Sequence, residues 1–505
     1  MAIRMSGMIS GLDTDAIIKE LMSAQSSKKT NIENKKTKLE WKKEKWEELN
    51  TKVYALYTEK LSGLKLQGTY LTKKATSSNS DKAEATVTNA ANGSYSLTVD
   101  NLASAQFVTG ADISDKELTA SSKLTEAGMT AGQTITVATG KELDETTDIE
   151  ITSDMTVSEF VDKLKNAGLN ASFDADNGRF YVSAKNSGSD SRFTLESTIS
   201  GESGLEAIGL GDIDEDLAAA GQNAADGTTM AVVGAQDAHV VLNGATLTSS
   251  SNTITANGLT VELKGTTTPG ETINITVGND VDAVYDKVKE FVTSYNELMT
   301  DMYGKYNAAS AKDYAMLTDD DKEAMTDDQI ELWENKIKDS LLRSDTTLNS
   351  LMSSFRTAMQ GTAEVNGETY SLSSFGIVTG TYTEHGLLHI NGDADDAEYA
   401  GEKDSLKAAL EKDPEGVAEA LSSIFSDFYS TLTDKMSVTS ISSALTFYND
   451  KQIQSQVEDY EDQISDWETR LEDLEERYYK QFSSMETALA DLQSQQSQLS
   501  GLLGT

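Results

Sequence analysis

Over its last fifty or so residues the chain repeats apolar side chains at intervals of four and three, a spacing that puts them on one side of a helix and leaves that helix in need of a partner. From Ile453 the stripe runs Val457, Tyr460, Ile464, Trp467, Leu471, Leu474 and Tyr478, then Phe482, Met485, Leu489, Leu492, Gln496, Leu499 and Leu503. The two successive steps of four into Tyr478 and Phe482 form a stutter, which relaxes supercoiling locally without ending the helix.

The first seventy residues supply a candidate partner. Between Lys28 and Lys52 nine lysines stand against five glutamates, whereas Lys451 to Gln481 holds ten Asp or Glu against four Lys or Arg. Trp46, Leu49, Val53 and Leu56 recur at three and four and form a short apolar seam. Opposite charge selects the partner more than it stabilises the pair, because exposed ion pairs contribute about 0–1 kcal/mol each. Taken singly, either charged run reads as a solvated helix face. Residues 22–38 offer only Met22 and Ile32 as large apolar side chains, so this part is predicted to fray unless other subunits hold it. Head and tail zipped into one stalk would bring Trp46 and Trp467 close together.

A length of 505 residues allows about three domains. A net charge of −41 argues against nucleic acid and anionic membrane surfaces as partners. No apolar run approaches the roughly 20 residues needed to span a bilayer, so no membrane insertion is expected. Cysteine is absent, so neither disulfides nor thiolate metal sites brace the fold. The start, MAIRMSGMISGLDTD, lacks the apolar core of a secretory signal, and export would use a route that cleaves no such peptide.

After about Leu71 the texture changes to Thr, Ser, Asn and Gly with alternating apolar positions. SYSLTVDNLASAQFVTG, HVVLNGATLT, NTITANGLTVELKG and ETINITVGND read as strands and hairpins, with a turn at Asn243 and Gly244. Between them, ETTDIEITSDMTVSEFVDKLKNAGLNASFDADNGRFYVSAKN reads as strand, helix, strand, turn, strand. Its helix is bounded by Thr156 with Glu159 at the capping-box position and by Gly168. Residues 201–229, rich in Gly, Ala and Asp, are expected to be a mobile connection. Helix returns near Val281, where Val284, Val288, Phe291, Val292, Tyr295 and Leu298 form a broad apolar face.

The expected fold class is α+β and multidomain, with terminal helices paired as a coiled coil or helical bundle around nested strand-rich middle domains. Residues 1–75 and 281–505 form the terminal leg and bundle, with a coiled-coil tail over 450–505. Residues 76–109 and 230–280 form a strand-rich domain, and 110–229 an inserted α/β distal domain.

Chemistry is sparse. The histidines are His239, His385 and His389. The last two are four apart, a metal-holding spacing on a helix, but they sit in a strand-like stretch interrupted by Gly386. Asp212, Asp214 and Asp216 match the first ligands of a calcium loop, yet Leu217 stands where glycine is needed and Asn223 where a bidentate Glu is needed. The acidic runs at Asp319 to Asp321 and Asp393 to Asp396 fail similarly. No phosphate loop, nucleophile elbow or carboxylate pair has a fitting context, so no catalytic residue, cofactor or metal is expected.

SGLDTDAIIKELMSAQ, the lysine-rich helix with WKKEKWEELNTKVYALY, DNLASAQ, VKEFVTSYNELM, LLRSDTTLNSLM, SSFGIV and YKQFSSMETALADLQSQQSQL resemble, in this order, segments of the flagellar filament cap family, the hook-associated protein 2 family. The resemblance covers nearly the whole chain outside residues 110–229. It implies a non-enzymatic extracellular component of the flagellum tip, exported by the flagellar type III apparatus, which forms a ring of identical subunits with paired terminal helices as legs and strand domains as a plate beneath which flagellin folds. By the same resemblance Leu21, Trp46, Leu49, Val53, Leu56, Trp467, Leu471, Leu474, Phe482, Met485, Leu489 and Leu492 would make subunit and filament contacts. Leu492, Leu499, Leu502 and Leu503 would meet an export chaperone. The implied partners are further copies of the chain, flagellin, the hook–filament junction protein and that chaperone, with adhesion to host glycans as an added role. Other readings are a glycan-binding surface adhesin, another axial subunit such as a junction protein or flagellin, and a glycan-acting enzyme in the strand-rich middle.

Overall fold

The computed structural model describes residues 11–222 and 229–503, the last three as backbone only. The chain divides into two compact units, residues 73–280 forming one and the segments on either side of them the other.

The unit formed by 73–280 is built almost wholly of antiparallel strands around two cores. In the first, a five-stranded sheet takes the order Lys73–Ser77, Ile273–Asn279, Gly93–Asn101, Ala238–Leu242, Ala245–Ser249. Every second residue points inward, so Leu97, Val99, Val240, Ile273, Ile275 and Val277 are buried. They share a core with Ala83, Ile254, Leu259, Val261 and Leu263 of a three-stranded sheet. Asn243 and Gly244 have φ of 50° and 82°, the double left-handed geometry of a two-residue type I′ hairpin.

The second core lies between Val108 and Val232 and is closed by a four-stranded and a three-stranded sheet and the helix Val157–Asn166. That helix begins with a complete capping box, Thr156 Oγ1 accepting from Glu159 N at 3.2 Å and Glu159 Oε2 from Thr156 N at 2.9 Å. Phe107–Thr109 and Ala231–Val233 pair with each other in this sheet, so the segment enters and leaves as neighbouring strands. These three-residue strands are too short to show a period, and they carry the edges of the segment a few residues beyond 110 and 229.

Residues 201–222 correct an expectation. They are not a loose connection, because two 3₁₀ turns and a short helix place Leu205, Ile208, Leu210, Ile213 and Ala218 in the second core. Irregular spacing hid their burial. Of the expected mobile stretch, residues 223–228 lie outside the described residues.

In the other unit the helices Val281–Tyr306, Thr346–Met359 and Pro414–Lys435 pack around interlocked rings. Phe291 meets Phe425 edge-on at 4.8 Å, and Phe355 meets Phe428 at 5.0 Å. Leu49 and Val53 of the leading helix, Thr14–Ala55, join this core, as does Leu56 immediately after it. A π-helical turn over Leu56–Leu61 then shifts the winding so that Leu61 and Leu64 are buried too.

Candidate assembly surface: the paired leg helices

The leading helix runs unbroken over Thr14–Ala55 and the trailing helix over Asp450–Leu503. Neither contains proline, and the former has no glycine, so nothing in their interiors interrupts the hydrogen-bond ladder. Asp13 caps the leading helix by accepting from Ala16 N at 3.0 Å. The trailing helix passes through the Tyr478–Phe482 stutter without a break.

The two helices lie antiparallel, in a register that repeats every seven residues. Lys29 bonds Glu468 at 2.8 Å, Lys36 bonds Glu461 at 2.9 Å, and Lys43 donates to Gln454 at 3.1 Å. One further heptad on, Asn50 Oδ1 accepts from Phe447 N at 3.3 Å while its amide donates to Leu445 O at 3.1 Å. At the other end the Tyr479 hydroxyl donates to Asp15 at 3.1 Å. Lys29 and Lys36 each also face a glutamate one turn ahead, Glu33 and Glu40, both at 3.4 Å. The hydrogen bond to Glu468, opposed by burial and helped by the charge of Glu33, lifts the Lys29 pKa above the ordinary lysine value. Glu461 does the same for Lys36, opposed by burial and helped by Glu40.

This register corrects the predicted fraying of residues 22–38, which are helical throughout. Long lysine stems lie along the seam where apolar side chains are lacking, and their heads reach carboxylates on both helices. The register also corrects the expected proximity of Trp46 and Trp467. Trp46 stacks on Tyr448 at 5.7 Å and meets the edge of Phe447 at 5.7 Å, whereas Trp467 lies beside Lys28, whose ammonium is 5.4 Å from its ring. Antiparallel pairing sets the two tryptophans about 24 Å apart along the leg, sixteen residues at ~1.5 Å each.

The expected contact residues fall into three groups. Trp46, Leu49, Val53 and Leu56 are buried inside this chain's own core and so hold the base of the leg, without presenting a surface to another subunit. Trp467, Leu471, Leu474, Phe482, Met485 and Leu489 are half-buried. Leu21, Leu492 and Leu499 are exposed, the last two at 60% and 57%. From Asp491 to Ser500 every residue of the trailing helix is exposed. The side chains of Leu502 and Leu503 lie outside the described residues. Sequence reasoning missed Phe447 and Tyr448, which carry no period, and read the Lys29, Lys36 and Lys43 row only as net charge although its heptad spacing was visible.

The residues considered for chemistry serve structural contacts. His385 stacks on Tyr303 at 3.7 Å. His389 lies between Asp396, 2.6 Å from Nδ1, and Glu384, 3.2 Å from Nε2. His239 contacts Asp100 at 2.7 Å. Asp214 caps a short helix by accepting from Leu217 N, Asp212 accepts from Ser197 N, and Asp393 and Asp395 hold Lys289. Asn223 lies outside the described residues. Among the described residues no group of three or more His, Asp or Glu gathers as a metal site, and no helix is long and apolar enough to cross a membrane.

Residues 10–106 match the family model described as flagellar hook-associated protein 2 N-terminus, and residues 235–494 match that of its C-terminus. The chain belongs to the flagellar hook-associated protein 2 family. The two matched segments stop on either side of the second strand core. Relatives in this family include flagellar hook-associated protein 2 of Halalkalibacterium halodurans, 26% identical over 98% of this chain and 99% of the relative, and that of Escherichia coli K12, 26% identical over 98% and 96%. A crystal structure of the flagellar cap protein FliD domains D1 to D3 from Escherichia coli aligns over 78% of this chain and 98% of that one, with 23% identity and a TM-score of 0.48. Hook-associated protein 2 is a structural flagellar family and not a family of enzymes.

Proposed function

We propose that the chain caps the flagellar filament, assembling as a closed ring of identical subunits at the tip, with the paired helices as legs and the strand-rich unit as a plate under which flagellin folds and joins the polymer. The observation that carries this reading is the trailing helix, which continues past its covered stretch as an exposed segment with Leu492 and Leu499 on its surface. A helix with an uncovered apolar stripe is completed by another molecule. In the filament that molecule is a neighbouring subunit or flagellin, with the junction protein beneath the ring when growth starts, and before export it is a chaperone. Family membership supports the setting. An adhesive role would fall to the strand-rich unit, where Phe107 and Val233, cross-strand partners, are exposed and the Phe107 ring lies 6.3 Å from that of Tyr181.

The test is complementation of a strain that lacks its own cap. The full chain restores filament growth, and a chain without residues 491–505 does not, although its circular dichroism matches the full chain apart from the lost helical turns. Equal filament growth from the shortened chain overturns the reading.

A further inference from the structure

We propose that the legs of neighbouring copies lie side by side at one height, the outer lysine row of one leading helix resting on the outer aspartate row of the next copy's trailing helix. This rests on the ring reading above and names the surface that builds it.

Besides the lysines that clasp the two helices of one leg, each helix carries a second row. On the leading helix it is Lys28, Asn31, Lys35 and Lys38, spaced three, four and three; on the trailing helix it is Asp459, Asp462, Asp466 and Thr469, spaced three, four and three. Lys38 is half-buried and the other seven are exposed. Among the described residues, Lys35, Lys38, Asp459, Asp462 and Asp466 spend their charges on no ion pair within the chain.

The two rows stand level. The pairing of Lys29 with Glu468 and of Lys36 with Glu461 fixes the heights. It sets Lys38 beside position 459, Lys35 beside 462, Asn31 beside 466 and Lys28 beside 469. A second copy generated by rotation about an axis along the leg, without sliding, therefore brings Lys38 to Asp459, Lys35 to Asp462 and Asn31 to Asp466 simultaneously. The contact joins different surfaces of the two copies, the kind that closes into a ring when the rotation is right. In a chain of net charge −41, whose copies otherwise repel, this local attraction sets both partner and height.

The chain has no cysteine, so single cysteines report directly. A Lys35→Cys chain and an Asp462→Cys chain, mixed before assembly and oxidised mildly, are expected to give a disulfide-linked dimer, while either alone gives at most a tenth of that yield. Charge reversal is the second measurement. Lys35→Glu with Lys38→Glu, or Asp459→Lys with Asp462→Lys, lowers the oligomer fraction in sedimentation by at least tenfold, and all four in one chain restore it. No dimer in the mixture, or equal dimer from one chain alone, together with oligomers unmoved by reversal, overturns this inference while leaving the ring reading intact. An unaltered chain that sediments only as a monomer at every concentration overturns both.

Discussion

Trp46 joins the leg to the bundle. Its indole is 2% exposed, stacked on Tyr448 at an interplanar angle of 6° and met edge-on by Phe447, with Leu49 and Val53 on the following turns. Burial, with the charges of Glu47 and Asp450 behind it, pushes the Tyr448 hydroxyl up to about 12, so this ring stays neutral in the packed cluster. Replacing Trp46 by Ala removes a large aromatic from a filled site and is expected to destabilise the helical unit by about 3–5 kcal/mol, read as a lower urea midpoint of that unit's transition. The Trp46 side of this contact was legible as a three-and-four repeat. The Phe447 and Tyr448 side was not, because those residues precede the trailing helix in a stretch where Leu445 adopts φ of 63° and no period can form.

At the scale of elements, the leading helix shows why a count of apolar residues underestimates a helix pair. Residues 22–38 have almost no aliphatic stripe, yet they are held by lysines at heptad positions that each touch a carboxylate on both helices. Such support depends on salt, because at 1 M the screening length falls to about 3 Å. Raising the salt from 0.05 to 1 M should therefore speed amide exchange over residues 22–40 by about tenfold, the equivalent of ~1.4 kcal/mol spread over the lysine clusters. Residues 46–56, held by apolar packing, should not change; uniform behaviour along the helix would refute the assignment. The Val157–Asn166 helix was legible at both ends because a capping box and a closing Gly168 are local signals. Burial of Leu205 and Ile208 was not, because it depends on strands far away in the chain.

For the whole molecule, the division at Thr72 and Asp280 means that the strand-rich unit is an insertion in the helical one. The change in texture near Leu71 and the return of a helical period near Val281 made this arrangement legible, since each boundary coincides with a switch between periods of 2 and 3.6. The helical unit is built on one core and the strand-rich unit on two of its own, and each unit is expected to unfold as its own cooperative step. Residues 73–280 produced alone should keep the β-sheet circular dichroism they have in the full chain and melt within a few degrees of one of its two calorimetric transitions. A single transition in the full chain, or an unfolded fragment, would show that the units depend on each other. The same fragment is the material on which glycan binding by the Phe107 face is to be measured.

A heptad repeat is a ruler with identical marks. Slipping the trailing helix by one repeat, about 10 Å, would hand Glu461 to Lys29 and Gln454 to Lys36, and the row of clasps alone would barely register the change. The clasp of Asn50 on the Leu445 and Phe447 backbone, with the indole seated on Tyr448, occurs once and has no second position along the leg. That single unrepeated feature fixes the register of the two helices, and with it how far the trailing one projects past its covered stretch.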